Sequence, residues 1–244
     1  RELRLLQYLV LGIGGVRALR ALGHAPAIFH LNEGHAAFAS LELLREQVAL
    51  GMPSREAWEQ VRRSLVFTTH TPVAAGNETY AEAELRRVLE GFAPSLGMPW
   101  QDVLGLGRNG HDASEAFGMT PLALHAARAA NGVSRRHGHV ARAMWRLMYS
   151  ESSEVPIQHV TNGVHVPTWM SGPMLALLTK YLGDGWQTRI ADPRTWEAVQ
   201  NIPDAELWAV RCSLRRSLVE YVRGRSVEDR LARALTGSVF LEDV

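Results

Sequence analysis

Four short segments of the 244-residue chain carry the side chains best suited to chemistry. They are Leu31-Asn32-Glu33-Gly34-His35, Thr69-His70-Thr71-Pro72, Ala130-Asn131-Gly132-Val133 and Thr161-Asn162-Gly163-Val164. A sugar hydroxyl both donates and accepts hydrogen bonds, so carboxamides, imidazoles and a carboxylate suit it better than a lining of fixed cations. Plainer roles compete, because Asn-Gly is ordinary turn chemistry and Asn32 is well placed to cap a helix. The ten histidines also raise a metal hydrolase, but the spacings are wrong. A zinc hydrolase needs three ligands, commonly with two histidines four apart on one helix face. His30 and His35 straddle a strand end, and His137 and His139 sit two apart in a helical stretch, where they face different ways. No metal site is expected.

Strands and helices must bring these segments together. Ala27 to Leu31 is an apolar run of strand length, and Asn32 follows it where it could cap a helix from Ala36 to Leu50. Ser54 can cap the next helix, whose buried face is marked by Ala57, Trp58, Val61 and Leu65. Leu65 to Thr69 then reads as a second buried strand ending at His70. Strand, helix, helix, strand without a hairpin signal predicts a parallel α/β sheet. Ligands collect outside the carboxyl ends of such strands, which would join 30–35 to 70–76 if the strands are neighbours.

Elsewhere, Arg1 to Leu22 reads as helical, with Gly23 at its C-cap, and residues 91–119 are irregular. Thr120-Pro121 opens a helix expected to run towards Asn131-Gly132, and a further helical stretch covers Ser134 to Tyr149. Pro156 to Thr161 is extended. Beyond it the chain reads as mostly helical, with Asp204 capping a helix to Arg223 and Ser226 capping another through Leu235.

Composition bounds the partners. Hydrophobic residues make up 46% and charged residues 21%, enough for a sizeable core and too apolar for disorder. A net charge of +1 asks for neither nucleic acid nor an anionic membrane surface. Cys212 is the only cysteine, which excludes an internal disulfide or a cysteine zinc site. No apolar run reaches the ~18 residues of a membrane span, so a cytoplasmic setting is expected. Lys180 is the only lysine, hence the only candidate for Schiff-base chemistry, and the chain opens on Arg1 as if inside a longer protein.

Taken in order, LRLLQYLVLGIGGVRAL, FHLNEGHAAFASLELLRE, LVFTTHTPVAAGNETY, AANGVSRRHGHVAR and VTNGVHVPTWM resemble the α-glucan (glycogen, starch, maltodextrin) phosphorylases, in their shorter bacterial and archaeal branch. The resemblance implies a segment of a two-lobe, Rossmann-like fold of GT-B type, helix-rich in its C-terminal half. Residues 1–132 would form the later part of the N-terminal lobe, and 133–244 the crossing segment and a mostly helical lead into the C-terminal lobe. The implied reaction is transfer of the terminal glucosyl unit of an α-1,4-glucan to inorganic phosphate, giving α-glucose 1-phosphate with retention.

By motif, His70 matches the catalytic-site histidine whose side chain and carbonyl lie against the glucosyl ring, and Asn131 an asparagine that holds a ring hydroxyl. Asn32, Glu33 and His35 match the Asn-Asp-x-His segment on the acceptor side, with Glu33-Gly34 standing where the longer enzymes have Asp-Thr. Asn77 and Glu78 rank low as ligands, since their loop departs from the longer branch. The family's pyridoxal 5′-phosphate would be held outside these residues, with its lysine beyond Val244, because the context of Lys180 is not the cofactor motif. This piece alone would be inactive. Its partners would be glucan, phosphate, the remaining lobes of the same polypeptide and a second copy in a homo-oligomer. The rival readings are a nucleotide-sugar glucosyltransferase of the glycogen or starch synthase kind, and a non-catalytic glucan-binding lobe.

Overall fold

The computed structural model describes residues 2–110, 114–150, 152 and 154–232. Two compact units divide the chain, one up to Asn162 and one from Gly163.

The first unit is an α/β layer structure. Four parallel strands, β1 (Phe29–Asn32), β2 (Leu65–Thr69), β5 (Ala129–Gly132) and β6 (Ile157–His159), pair in the order β1-β2-β5-β6. Separately, β3 (Thr79–Tyr80) and β4 (Phe117–Gly118), far apart in sequence, form a two-residue antiparallel pair. Helices α1 (Glu2–Leu9), α2 (Gly15–Ala21), α3 (Ala39–Ala49), α4 (Ser54–Ser64), α5 (Glu82–Leu89), α6 (Trp100–Gly105), α7 (Met119–Ala126) and α8 (Arg135–Met144) complete the unit.

β2 sits between two partners, and its LVFTT sequence suits that place: Leu65, Phe67 and Thr69 are fully buried, and β-branched and aromatic residues pack well on a pleated surface. α4 forms where expected and buries Ala57 and Val61 one turn apart, but Ser54 does not cap it: Pro53 holds the N-cap position and Ser54 is the first helical residue. A single turn of π-helix, Val10–Gly14, links α1 to α2. It lets the chain press on the start of α3, where a Cβ at Gly12 would lie 2.7 Å from the Ala39 nitrogen. In α3 the carboxylate of Glu42 is fully buried and receives Arg17 at 2.9 Å and Arg45 at 2.7 Å. Burial alone would raise its pKa. The hydrogen bonds from Arg45 and Arg17 outweigh burial and hold it below the usual carboxylate range.

Several expectations are corrected here. The helix opened at Thr120-Pro121 ends at Ala126, and Ala129–Gly132 is a strand. Satisfying the free edge of β2 overrides the helical preference of the alanines: the Arg128 N–H donates to the Leu65 carbonyl, and Val66 then pairs with Ala129. Asn32 caps nothing. It is the last residue of β1, paired with Thr68, and α3 begins at Ala39. α8 and β6 return to the sheet, with β6 pairing along β5, and the compact units divide after Asn162.

The second unit is helical where described: α9 (Val166–Trp169), α10 (Gly172–Leu182) and α11 (Asp204–Ala232), with two 3-10 segments between α10 and α11. Its small core gathers Leu177, Leu178, Ile202 and Trp186, whose ring meets Trp196 edge-on at 5.5 Å. The break expected between Arg223 and Ser226 is absent. α11 runs straight through Gly224, and the Arg225–Glu228 pair at 2.9 Å supports the turn that follows the glycine. Leu235 lies outside the described residues.

Candidate functional site

The site assembles at the carboxyl ends of β1, β2 and β5. Register puts Asn32, Thr68, Asn131 and Gln158 in one row across the sheet. Thr68 is the hub of that row. Its hydroxyl donates to the Asn131 Oδ1 at 2.9 Å, so its one proton is committed and it accepts from the His30 Nε2 at 2.8 Å. The proton of the His30 ring is thereby assigned to Nε2. Asn131 is half-buried, and its carboxamide nitrogen makes a long 3.3 Å contact with the Gly132 carbonyl. Asn32 is exposed, with no side-chain hydrogen bond among the described residues.

Glu33 does something the sequence did not suggest. Its backbone lies in the left-handed region, at φ 69°, the only non-glycine residue there among those described. The turn aims its carboxylate across the strand ends. One oxygen accepts the His70 N–H at 2.7 Å and the Thr71 hydroxyl at 3.0 Å, and the other accepts the Gly34 N–H at 3.1 Å. The Glu33 N–H donates to the Thr68 carbonyl at 2.8 Å, closing the loop on β2. A non-glycine residue at positive φ costs about 1–3 kcal/mol and persists where its surroundings over-determine it. Three acceptor contacts on one carboxylate do so here. Gly34 has its own reason, since a Cβ there would stand 3.2 Å from Met119 and Thr120 at the start of α7.

His70 itself is exposed, and its ring makes no hydrogen bond among the described residues. Its backbone is fixed by Glu33, and the following residue is fixed twice. Thr71 is held by Glu33 on one side and by buried His137 on the other, whose Nε2 donates to the Thr71 carbonyl at 3.3 Å. His137 is free to do so because its Nδ1 accepts the Val133 N–H at 3.2 Å. Ser134 caps α8 by accepting the His137 N–H at 3.0 Å, so the turn after β5 and the loop after β2 are tied through one imidazole. Gly132 makes this approach possible, because a Cβ there would come within 2.9 Å of the Gly138 nitrogen.

His35 stands slightly apart, its ring 5.1 Å from that of Tyr8. Beside it Glu78 accepts from Tyr80 at 2.7 Å and pairs with Arg4 at 2.7 Å, and the Arg4 Nε donates to the Tyr8 hydroxyl at 2.9 Å. Burial would raise the Glu78 carboxyl, but hydrogen bonds from Tyr80 and Tyr8, with the charges of Arg4 and His35, hold it low. Burial, helped by Glu78, pushes the Tyr80 hydroxyl up. Asn77 is equally committed, accepting from Thr120 at 2.9 Å. Glu33, His35, Asn77 and Glu78 line a cavity of only about 40 Å³, room for a water and not for a sugar ring.

Thus Asn32, Glu33, His70 and Asn131 are gathered at the carboxyl ends of β1, β2 and β5, with His35 beside them. Thr68, His30 and His137 were missed as its supports. His137 had a sequence signal, lying three residues after a capping Ser134. Among the described residues no group of three or more His, Cys, Asp or Glu could hold a metal ion.

These strand ends offer carboxamides, an imidazole and backbone groups for hydrogen bonding. Comparison with known proteins gives that chemistry a context. Over 232 residues, 94% of its length, the chain is 37% identical to a maltodextrin phosphorylase of Thermococcus litoralis. It is 36% identical to a glycogen phosphorylase of Aquifex aeolicus over 93% of its length, and 38% identical to one of Mycobacterium tuberculosis over 97%. The chain is homologous to the α-glucan phosphorylases. It spans 27%, 33% and 28% of the length of those three relatives, the proportion of a fragment. No protein-family model matches it.

Phosphorylase chemistry requires pyridoxal phosphate on a lysine, and the residues described here do not fit that group. Lys180 is exposed and paired with Glu206 at 2.7 Å. The Glu206 hydrogen bond raises its pKa, whereas a Schiff-base lysine needs a neutral amine.

Proposed function

We propose that this chain is the sugar-facing edge of the N-terminal lobe in a two-lobe, GT-B-type α-glucan phosphorylase. The whole protein would transfer the terminal glucosyl unit of an α-1,4-glucan to inorganic phosphate, releasing α-glucose 1-phosphate. The observation that carries this reading is the similarity of nearly the whole chain to phosphorylases; in this chain His70 follows the end of β2 with its backbone N–H anchored by Glu33.

An oxocarbenium-like glucosyl cation is stabilised by oriented dipoles already in place when charge develops. His70, fixed through its N–H and through Thr71, is suited to that task. Asn131, with a carboxamide nitrogen only weakly engaged, is suited to a ring hydroxyl, and Asn32 to the acceptor side. Glu33 is a positioning residue in this reading, and His35 acts beside the Tyr8–Glu78 cluster. Pyridoxal phosphate, supplied by other parts of the polypeptide, would contribute phosphate-mediated proton chemistry. Glucan, phosphate and a second copy of the protein complete the partners.

The test is kinetic, in a polypeptide of the relatives' length that contains this chain. His70→Ala lowers kcat/KM for phosphorolysis by about 10–100-fold, the cost of a lost oriented group. Asn131→Ala acts mainly through KM. Unchanged kinetics in both variants would refute the assignment.

A further inference from the structure

A second cavity, of about 270 Å³, opens at the amino-terminal end of β5, where Arg128 and Ala129 enter the sheet. Its walls carry Trp58 and Arg62 from α4, His125 from α7, Arg128, Tyr149 and Pro156. None of them belongs to the strand-end site.

The chemistry of the lining is one-sided. The Nε of Arg62 is buried and has no hydrogen-bond partner among the described residues. Its only ion pair is a long 3.3 Å contact between a terminal nitrogen and Glu59, a side chain that is 58% exposed. The guanidinium of Arg128 has no partner among the described residues. A buried N–H without an acceptor is costly and rare, and Arg62, whose side chain is otherwise 41% exposed, is one of the residues that line the cavity. Opposite the cations, His125 donates its Nδ1–H to the Leu106 carbonyl at 2.7 Å. Burial, with the Arg62 charge adding to it, outweighs that hydrogen bond and lowers the pKa of the ring. Among the described residues no carboxylate lines the cavity. Trp58, Tyr149 and Leu106 supply flat or apolar wall.

We infer that this cavity binds a small organic anion, its carboxylate or phosphate head held by Arg62 and Arg128 and its flat body lying against Trp58 and Tyr149. Arginine forks bind both heads bidentately. The volume admits a single ring with its head group and little more.

Titration calorimetry on the 244-residue chain tests this with benzoate and phenyl phosphate, which carry the two heads on one body. Sulfate supplies a head alone and benzyl alcohol a body alone. Benzoate or phenyl phosphate is expected to bind at one site in the millimolar range, and the tighter of the two identifies the head. Arg62→Gln and Arg128→Gln are each expected to weaken that binding by about tenfold. Arg194→Gln, on an exposed arginine of the second unit, is expected to leave it unchanged. Urea midpoints establish that each variant is folded, and if one arginine variant does not fold the other decides. Absence of binding by both probes overturns the inference. So does equal binding of sulfate or benzyl alcohol, or equal weakening by Arg194→Gln.

Discussion

Replacing Glu33 by glutamine removes a carboxylate that serves three donors: His70 N–H at 2.7 Å, Thr71 hydroxyl at 3.0 Å and Gly34 N–H at 3.1 Å. A carboxamide has one acceptor oxygen, so at least one donor set meets an NH₂ group. Hydrogen bonds to charged groups contribute about 1.5–3 kcal/mol each when buried. The site is half-open to water, so a total of about 1–2 kcal/mol is expected for Glu33→Gln and somewhat more for Glu33→Ala. Glu33→Gly loses the same contacts as alanine but removes the side chain from a left-handed residue, and should be about 1 kcal/mol more stable than Glu33→Ala. The assay is urea denaturation of the 244-residue chain together with amide exchange at His70 and Thr71. Faster exchange at His70 in Glu33→Gln, with the β2 core amides unchanged, is the expected pattern. Unchanged His70 exchange, or an alanine variant as stable as glycine, would refute the account of Glu33 as a clamp.

Three further outcomes follow from other parts of the molecule. Glu42 has a folded pKa below its unfolded value; its contribution is fully present above the ordinary carboxyl range and is lost as pH falls through the folded value. Glu42→Gln should therefore cost about 2–4 kcal/mol at neutral pH and flatten the acid side of the stability profile, as read by urea midpoints against pH. Gly12→Ala forces a Cβ to 2.7 Å from backbone at α3 and should destabilise by about 1–3 kcal/mol in the same assay, whereas Gly15→Ala, with open space around it, should not. Lys180→Ala should leave pyridoxal phosphate absorbance unchanged in a longer, cofactor-loaded polypeptide, since this lysine is paired with Glu206.

What sequence could and could not show is visible in particular residues. β2 was legible to the residue because its five apolar and β-branched positions end at a polar histidine. Ala129–Gly132 was not, because alanines favour helix in isolation and the strand forms only against the edge of β2. The antiparallel β3–β4 pair, two residues a strand and far apart in sequence, is too short to leave a periodic pattern. His70, Asn131 and Asn32 were singled out through motifs, and they lie together at the carboxyl ends of the strands. The roles of Thr68 and Glu33 were hidden, since one depends on register across three strands and the other on a positive φ that no side-chain pattern announces.

The central claim is that these strand ends serve glucosyl transfer to phosphate. The most direct measurement is formation of α-glucose 1-phosphate from a maltooligosaccharide and inorganic phosphate, by a polypeptide of the relatives' length and by the 244-residue chain in parallel. The account predicts product from the longer polypeptide, formation slowed about 10–100-fold on His70→Ala, and none from the shorter chain. A longer polypeptide that binds glucan yet forms no glucose 1-phosphate would contradict it.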